Sequence, residues 1–204
     1  MTETSSGVVT KLTPQQLHWR ELQTAAFNAV CRGWPVVPGT ASAHWCGFVQ
    51  VSPVAQNWRE VAITEPDQVW SKWNERPYEV LMVCGQGVDV LEVPAEIAEL
   101  LPVLAGRQMA VPVATVLPPA RWLLFVATGT GQLLPELQER HVRLRGDNQW
   151  VALPPTILVN YAPVRWAVPP VEAVEQCPIA LPGAEDVQRA LVAALTGPAD
   201  VRRD

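Results

Sequence analysis

The sequence predicts an α+β domain built on a mixed or antiparallel sheet, with flanking helices and an amphipathic helix near the C-terminus. Three observations predict it. Helix-like and strand-like stretches follow one another without the regular βαβ alternation that a doubly wound fold requires. The chain has 204 residues, enough for one sizeable core and a small appendage but short for two independent domains. Its hydrophobic share is 49% against 17% charged, with nine Trp, the balance of a chain that collapses around a core.

Residues 1–12 are rich in Ser and Thr and are expected to be disordered, ahead of a domain over 13–170 and a linker with a terminal helix over 171–204. In "TPQQLHWRELQTAAFNAVCRGW", Thr13 is placed as N-cap, Pro14 at the first helical position and Gln16 at the capping-box position. Leu17, Leu22, Ala25, Ala26, Ala29 and Val30 recur at helical spacing, and Gly33 supplies the stop. The prolines of "GWPVVPG" mark the next short strand as an edge or a strand end, followed at once by a turn. Residues 39–66 lack periodicity and should be loop-rich, with one short element around "WCGFVQVS".

Thr64 as N-cap, an early Pro66 and Asp67 in the first turn open a short helix with Val69, Trp70 and Trp73 on one face, stopped by Pro77. "YEVLMVCGQGVDVLEVP" reads as two strands over 79–84 and 88–93, joined through Gly85 and Gly87 as a tight hairpin. "AEIAELLPVLAGR" is a helix with Leu100, Leu101 and Leu104 inward, and "VPVATVLPPARWLLFVATG" is a strand pair around Pro118 and Pro119. A short helix over 133–140 and a second hairpin in "HVRLRGDNQWVALPP", turning at Gly146, Asp147 and Asn148, come next. "VRWAVPP" gives a last strand, and Val187, Leu191 and Leu195 align on one face of a helix from Ala184 to about Leu195 that packs on the body or on a neighbour.

Charge narrows the function classes. A net charge of -5 lacks the broad positive field of non-specific nucleic-acid binding, so any such contact must be local. Of the 15 basic residues only Lys11 and Lys72 are lysines. No run approaches the apolar length of a membrane span and no secretory leader pattern opens the chain, so a soluble cytoplasmic protein without membrane contact is expected. Cys31, Cys46, Cys84 and Cys177 are scattered without a CxxC pair and read as reduced thiols, mostly in apolar settings. A zinc site from Cys31, His44 and Cys46 would lack a fourth ligand.

Motifs for common chemistries are missing or fail. "CGQGVD" starts like a dinucleotide fingerprint, but Val90 stands at the third glycine and a strand follows. "TGTG" at 128–131 precedes a helix and its amides are placed to meet an anion, although a plain connecting turn has the same composition. His18, His44 and His141 stand alone, which leaves no Ser or Cys triad. The acidic strand "GVDVLEVP" remains. Residues two apart share a strand face, so Asp89 and Glu92, three apart, face opposite sides and cannot pair on one metal. Asp89 is expected on an exposed side, and Glu92 at a strand end beside the helix start at Ala95, where a negative charge is favourable.

The collinear series "FNAVCRGWPVVPGT", "WNERPYEVLMVCGQGVDVLEVP", "PPARWLLFVATG", "LRGDNQWVALPPT" and "VRWAVPP" resembles the bifunctional DNA primase-polymerase domain of the archaeo-eukaryotic primase superfamily, in its actinobacterial form. The resemblance runs from about Leu17 to Pro169 and implies a primase-polymerase-like, RRM-related sheet. It also implies three catalytic elements. An acidic pair two apart on a strand matches Glu92 and Pro94, so its second acid is lost. A phosphate-holding His matches Trp122, which offers one neutral donor. An acid just upstream of "RGD" matches Arg143. Glu92 is the retained acid, unless a shifted strand register lets Asp89 or Asp147 rebuild the set.

What the resemblance implies is therefore a degenerate member without a metal site, acting as an accessory or regulatory protein, with Mg²⁺ or Mn²⁺ needed only if activity survives. The alternatives are an active metal-dependent nucleotidyltransferase and a module that binds a nucleotide or a single strand. For the last, Arg121, Arg143 and Arg145 would supply cations, and Trp122 and Trp150 stacking surfaces, provided that these side chains share a sheet face. The plain alternative places the Trp residues in the core and the Arg residues at solvated strand ends. A protein partner through the C-terminal helix is a further expectation.

Overall fold

The computed structural model describes residues 12–43, 49–99, 102, 104, 109–117, 120–158, 162–170 and 180–196. The order is α1 (Pro14–Cys31), β1 (Val36–Ala43), β2 (Val49–Pro53), α2 (Pro66–Glu75), β3 (Glu79–Val83), β4 (Val88–Pro94) and α3 (Ala95–Ala98). It continues with β5 (Val113–Val116), β6 (Arg121–Ala127), α4 (Pro135–Gln138), β7 (Arg143–Arg145), β8 (Trp150–Ala152), β9 (Arg165–Val168) and α5 (Ala184–Thr196). This is an α+β fold.

The strands form two sheets instead of one. A four-stranded sheet has the order β2-β1-β3-β8 and a five-stranded sheet β7-β4-β6-β5-β9, every neighbour antiparallel. Two expected hairpins are thereby corrected. β3 and β4 adjoin in sequence yet lie in different sheets, and so do β7 and β8. The reason is burial: β3 is buried along its whole length, so it needs a strand on each side, and β1 and β8 take those places. The expected pair β5–β6 does form, with Val113 opposite Leu124 and Val116 opposite Arg121.

Two of the three crossings between sheets, β3 to β4 and β7 to β8, touch. Cys84 N–H donates to the Gln149 carbonyl (3.0 Å), and a Cβ on Gly85 would come within 2.6 Å of the Asp147 Cα. Gly85, at φ +88°, is therefore held both by its conformation and by the close approach.

Packing divides the apolar side chains into two clusters. The first joins Leu22, Ala26, Ala29 and Val30 of α1 and Val69 and Trp73 of α2 to β1, β3 and β8, and to Val88, Val90, Leu123 and Phe125 on one face of the five-stranded sheet. Phe125 stacks on Trp34 with ring centres 5.2 Å apart and meets Trp166 at 5.1 Å. The second cluster lies on the opposite face, where Leu91, Val93, Leu124 and Val126 meet Ile97, Leu137, Val187, Ala190 and Leu191. The terminal helix α5 thus spends its apolar face on the body of the same chain.

Local signals held where they concern neighbours in sequence. Thr13 and Gln16 form the reciprocal capping box, at 3.2 and 2.9 Å. Corrections concern exposure and edges. Leu17 and Trp70 are exposed, and α2 is capped at Glu65 rather than at Thr64. β1 is internal and eight residues long, with Pro38 tolerated because it lies just past the last β2 pair, Gly39 with Pro53, where its missing N–H breaks no strand pairing, while its carbonyl accepts from Val54 N–H (2.9 Å). Leu104 is buried as expected, whereas Leu100, Leu101, His44, Cys46 and Cys177 lie outside the described residues. Among the described helices none is long and apolar enough to cross a membrane.

Candidate functional site

Strand alternation and register build one face from three strands. Glu92 of β4 lies opposite Leu123 of β6 and Arg143 of β7; Pro94 lies opposite Arg121, and Val90 opposite Arg145. Because side chains two apart share a face, Glu92, Pro94, Arg121, Leu123, Arg143 and Arg145 project to the same side. Asn148 to Ala152, running into β8 of the other sheet, closes a groove of about 880 Å³ over them. Trp150 and Leu158 line its wall, and Glu96 of α3 also borders it.

Glu92 is fully engaged. Its Oε1 accepts from Arg121 Nε at 2.8 Å, and its Oε2 accepts from Arg145 Nε at 2.8 Å and Nη2 at 2.7 Å. Side-chain exposure is 12% for Glu92 and 16% for Arg121, so this is a half-sequestered cluster and not a surface pair. Burial pushes the Glu92 carboxyl up, and the hydrogen bonds and charges of Arg121 and Arg145 together outweigh it, so the net shift is downward. Arg121 also donates to the His141 carbonyl (3.0 Å). Arg143 is exposed and has no carboxylate partner among the described residues.

The sequence-derived candidates separate here. Glu92, Arg121, Arg143, Arg145 and Trp150 are brought together in the groove. Trp122 is not: it sits one residue out of phase, on the far face, packed against the second cluster. Its proposed stacking role is corrected, and the charged residue that this segment turns to the groove is Arg121, with Leu123 beside it.

Asp89 is also corrected. It is 1% exposed, on the face away from Glu92, where its Oδ1 accepts from Gly85 N–H (3.0 Å) and Thr128 Oγ1 (3.3 Å). Asp147 turns its carboxylate to Asn148 N–H (2.8 Å). Neither acid rebuilds a set with Glu92. Cys31 is exposed and Cys84 buried, and burial foremost pushes the Cys84 thiol up to about 12.

Two features escaped the sequence reading. The pairing of Glu92 with two arginines depends on residues 29 and 53 positions away, and only the opposite charges on facing strands hinted at it. The amide of Thr130 in "TGTG" does meet an anion, the Glu185 carboxylate of α5, at 2.7 Å. That hydrogen bond is the main reason the Glu185 carboxyl is held low. The turn is an intramolecular cap.

Residues 26–181 match the Prim-Pol family, described as bifunctional DNA primase/polymerase, N-terminal. The chain belongs to that family. Set against curated proteins, it finds no match.

Primase/polymerase chemistry of the two-metal kind needs carboxylates that neutralise and fix a pair of divalent ions. The residues of this primase/polymerase domain do not fit such a pair. At the groove Glu92 has both oxygens committed to guanidinium groups, Pro94 has no ligand atom in its side chain, and Arg143 adds a cation. Among the described residues no cluster of three His, Cys, Asp or Glu side chains has a metal-holding arrangement.

Proposed function

We propose that this primase/polymerase-family domain has lost metal-dependent nucleotidyl transfer and works as an accessory protein that binds its ligand without transforming it. The observation that carries the reading is the clamp of Arg121 and Arg145 on Glu92, beside Pro94 and Arg143 on the same face. A divalent ion would have to displace two charge-assisted hydrogen-bonded partners from Glu92 and then sit beside a third cation.

Primer extension tests it. Wild type and Glu92→Ala are compared on a primed template with deoxynucleoside triphosphates and either Mg²⁺ or Mn²⁺, the expected result being no incorporation by either. Incorporation by wild type that Glu92→Ala abolishes would overturn the reading.

A binding module for a nucleotide or a single strand is the companion reading, favoured by three arginines and Trp150 in one groove of a chain whose net charge is -5. A protein partner through α5 would meet its outer side, with Arg189, Ala193 and Thr196, since the apolar face is already covered.

A further inference from the structure

β8 offers an unpaired strand edge to the groove. It pairs on one side only, with β3, and Trp150, Val151 and Ala152 line the groove. The register fixes which groups that edge presents. Cys84 N–H donates to the Gln149 carbonyl (3.0 Å) and Leu153 N–H to the Val80 carbonyl (2.9 Å), so residues 149, 151 and 153 turn their backbone groups to β3. Antiparallel strands alternate, and the N–H and carbonyl groups of Trp150 and Ala152 therefore point away from β3, where no hydrogen bond holds them among the described residues. Beside them the Gln149 side-chain oxygen is buried and has no partner among the described residues either.

Three of these groups, the carbonyls of Trp150 and Ala152 and the Gln149 oxygen, need donors, which a phosphate does not supply and a peptide backbone does. An extended segment laid along β8 exchanges hydrogen bonds with Trp150 and Ala152 at alternate residues. Its side chains alternate too, so those that enter the groove stand two apart. There Glu92 is held by Arg121 and Arg145, and Arg143 is the cation without a carboxylate partner among the described residues. Leu123 and Leu158 supply apolar lining. We infer that the groove receives an extended segment of a partner protein, which adds as a strand to β8, sets a carboxylate side chain on Arg143 and places an apolar residue two positions away against Leu123 and Leu158. The inference rests on the reading of an accessory protein and deepens it by naming the class of partner and the way it docks.

The test starts from displayed random peptides selected on the immobilised full chain. A selected peptide is synthesised and titrated by calorimetry against wild type, Arg143→Ala and Ala152→Pro, then remade with an N-methyl group on each backbone nitrogen in turn. Selected sequences should carry an Asp or Glu two positions from an apolar residue. Arg143→Ala should weaken binding about tenfold or more, the scale of one charge-assisted hydrogen-bonded contact. Ala152→Pro should abolish it, since proline removes an outward N–H and leaves the β3–β8 pairing intact. N-methylation should be harmful at alternate residues and tolerated between them, the period of strand addition.

Failure to select any peptide would overturn the inference. So would a selected peptide whose affinity either variant leaves unchanged, or one that tolerates N-methylation throughout. Two other occupants have their own signatures, and either would overturn it: an oligothymidylate bound through Arg143 where no peptide is selected, and a dimer in sedimentation that Ala152→Pro dissociates. None of these results touches the loss of catalysis, which primer extension reads separately. Arg143 is exposed on a three-residue edge strand, so its variant is expected to fold, and thermal melts check both variants. Should Ala152→Pro fail to fold, the N-methyl series on wild type decides.

Discussion

Glu92 carries most of the site's electrostatics. Replacing it by Gln keeps the shape but leaves two partly sequestered guanidinium groups without a counter-charge, a loss of about 2–3 kcal/mol at neutral pH. The pH dependence follows from the lowered carboxyl. A carboxylate whose folded pKa lies below its unfolded value contributes stability that is fully present above the unfolded value and is lost as pH falls through the folded one. Urea unfolding from pH 7 to pH 3 should therefore show wild type losing more stability than Glu92→Gln below the ordinary carboxylate range, the two curves converging in acid. Parallel curves would show that the clamp contributes nothing.

At the scale of elements, α5 is fixed by polar side chains as well as by its apolar face. Gln188, 1% exposed, accepts from Leu134 N–H (2.8 Å) and donates to the Gln132 carbonyl (3.0 Å), binding α5 to the segment that enters α4. Gln188→Ala should cost about 1–3 kcal/mol, because it leaves two backbone groups without their partner. Arg189→Ala, one residue on and exposed, should cost under about 0.5 kcal/mol. Equal midpoints for the two variants in chemical denaturation would remove Gln188 from this role. The helix itself was legible, since Val187 and Leu191 fall on one face at helical spacing and both are buried. Its polar anchoring was not, because Gln188 pairs with residues more than 50 positions away.

Across the whole molecule, the groove lies where the first two of three changes of sheet, β3 to β4 and β7 to β8, pack together. Gly85 and Gly87 share φ +88°, but only Gly85 lies against Asp147, while a Cβ on Gly87 would meet nothing within 4 Å. Gly85→Ala is expected to destabilise by about 2 kcal/mol or more, from strain and overpacking together, and Gly87→Ala by about 1 kcal/mol, from strain alone. Thermal melts of both variants check this, and an equal loss in both would mean that the crossings do not depend on their contact. The sequence showed both glycine turns and assigned them to hairpins. A turn fixes the direction of the chain over a few residues, whereas the partner of a strand buried on both faces is set by the rest of the core.

The sequence by itself determined the starts of α1 and α5, the opposite faces of Asp89 and Glu92, and the family. All of these rest on residue identity, capping chemistry or the two-residue period of a strand, which act over a few positions. Tertiary structure alone decided that there are two sheets, that Arg121 and not Trp122 faces the groove, and that Glu92 is held by Arg121 and Arg145. Those outcomes join residues 29 and 53 positions apart, and burial of the whole core, not local preference, brings such residues together.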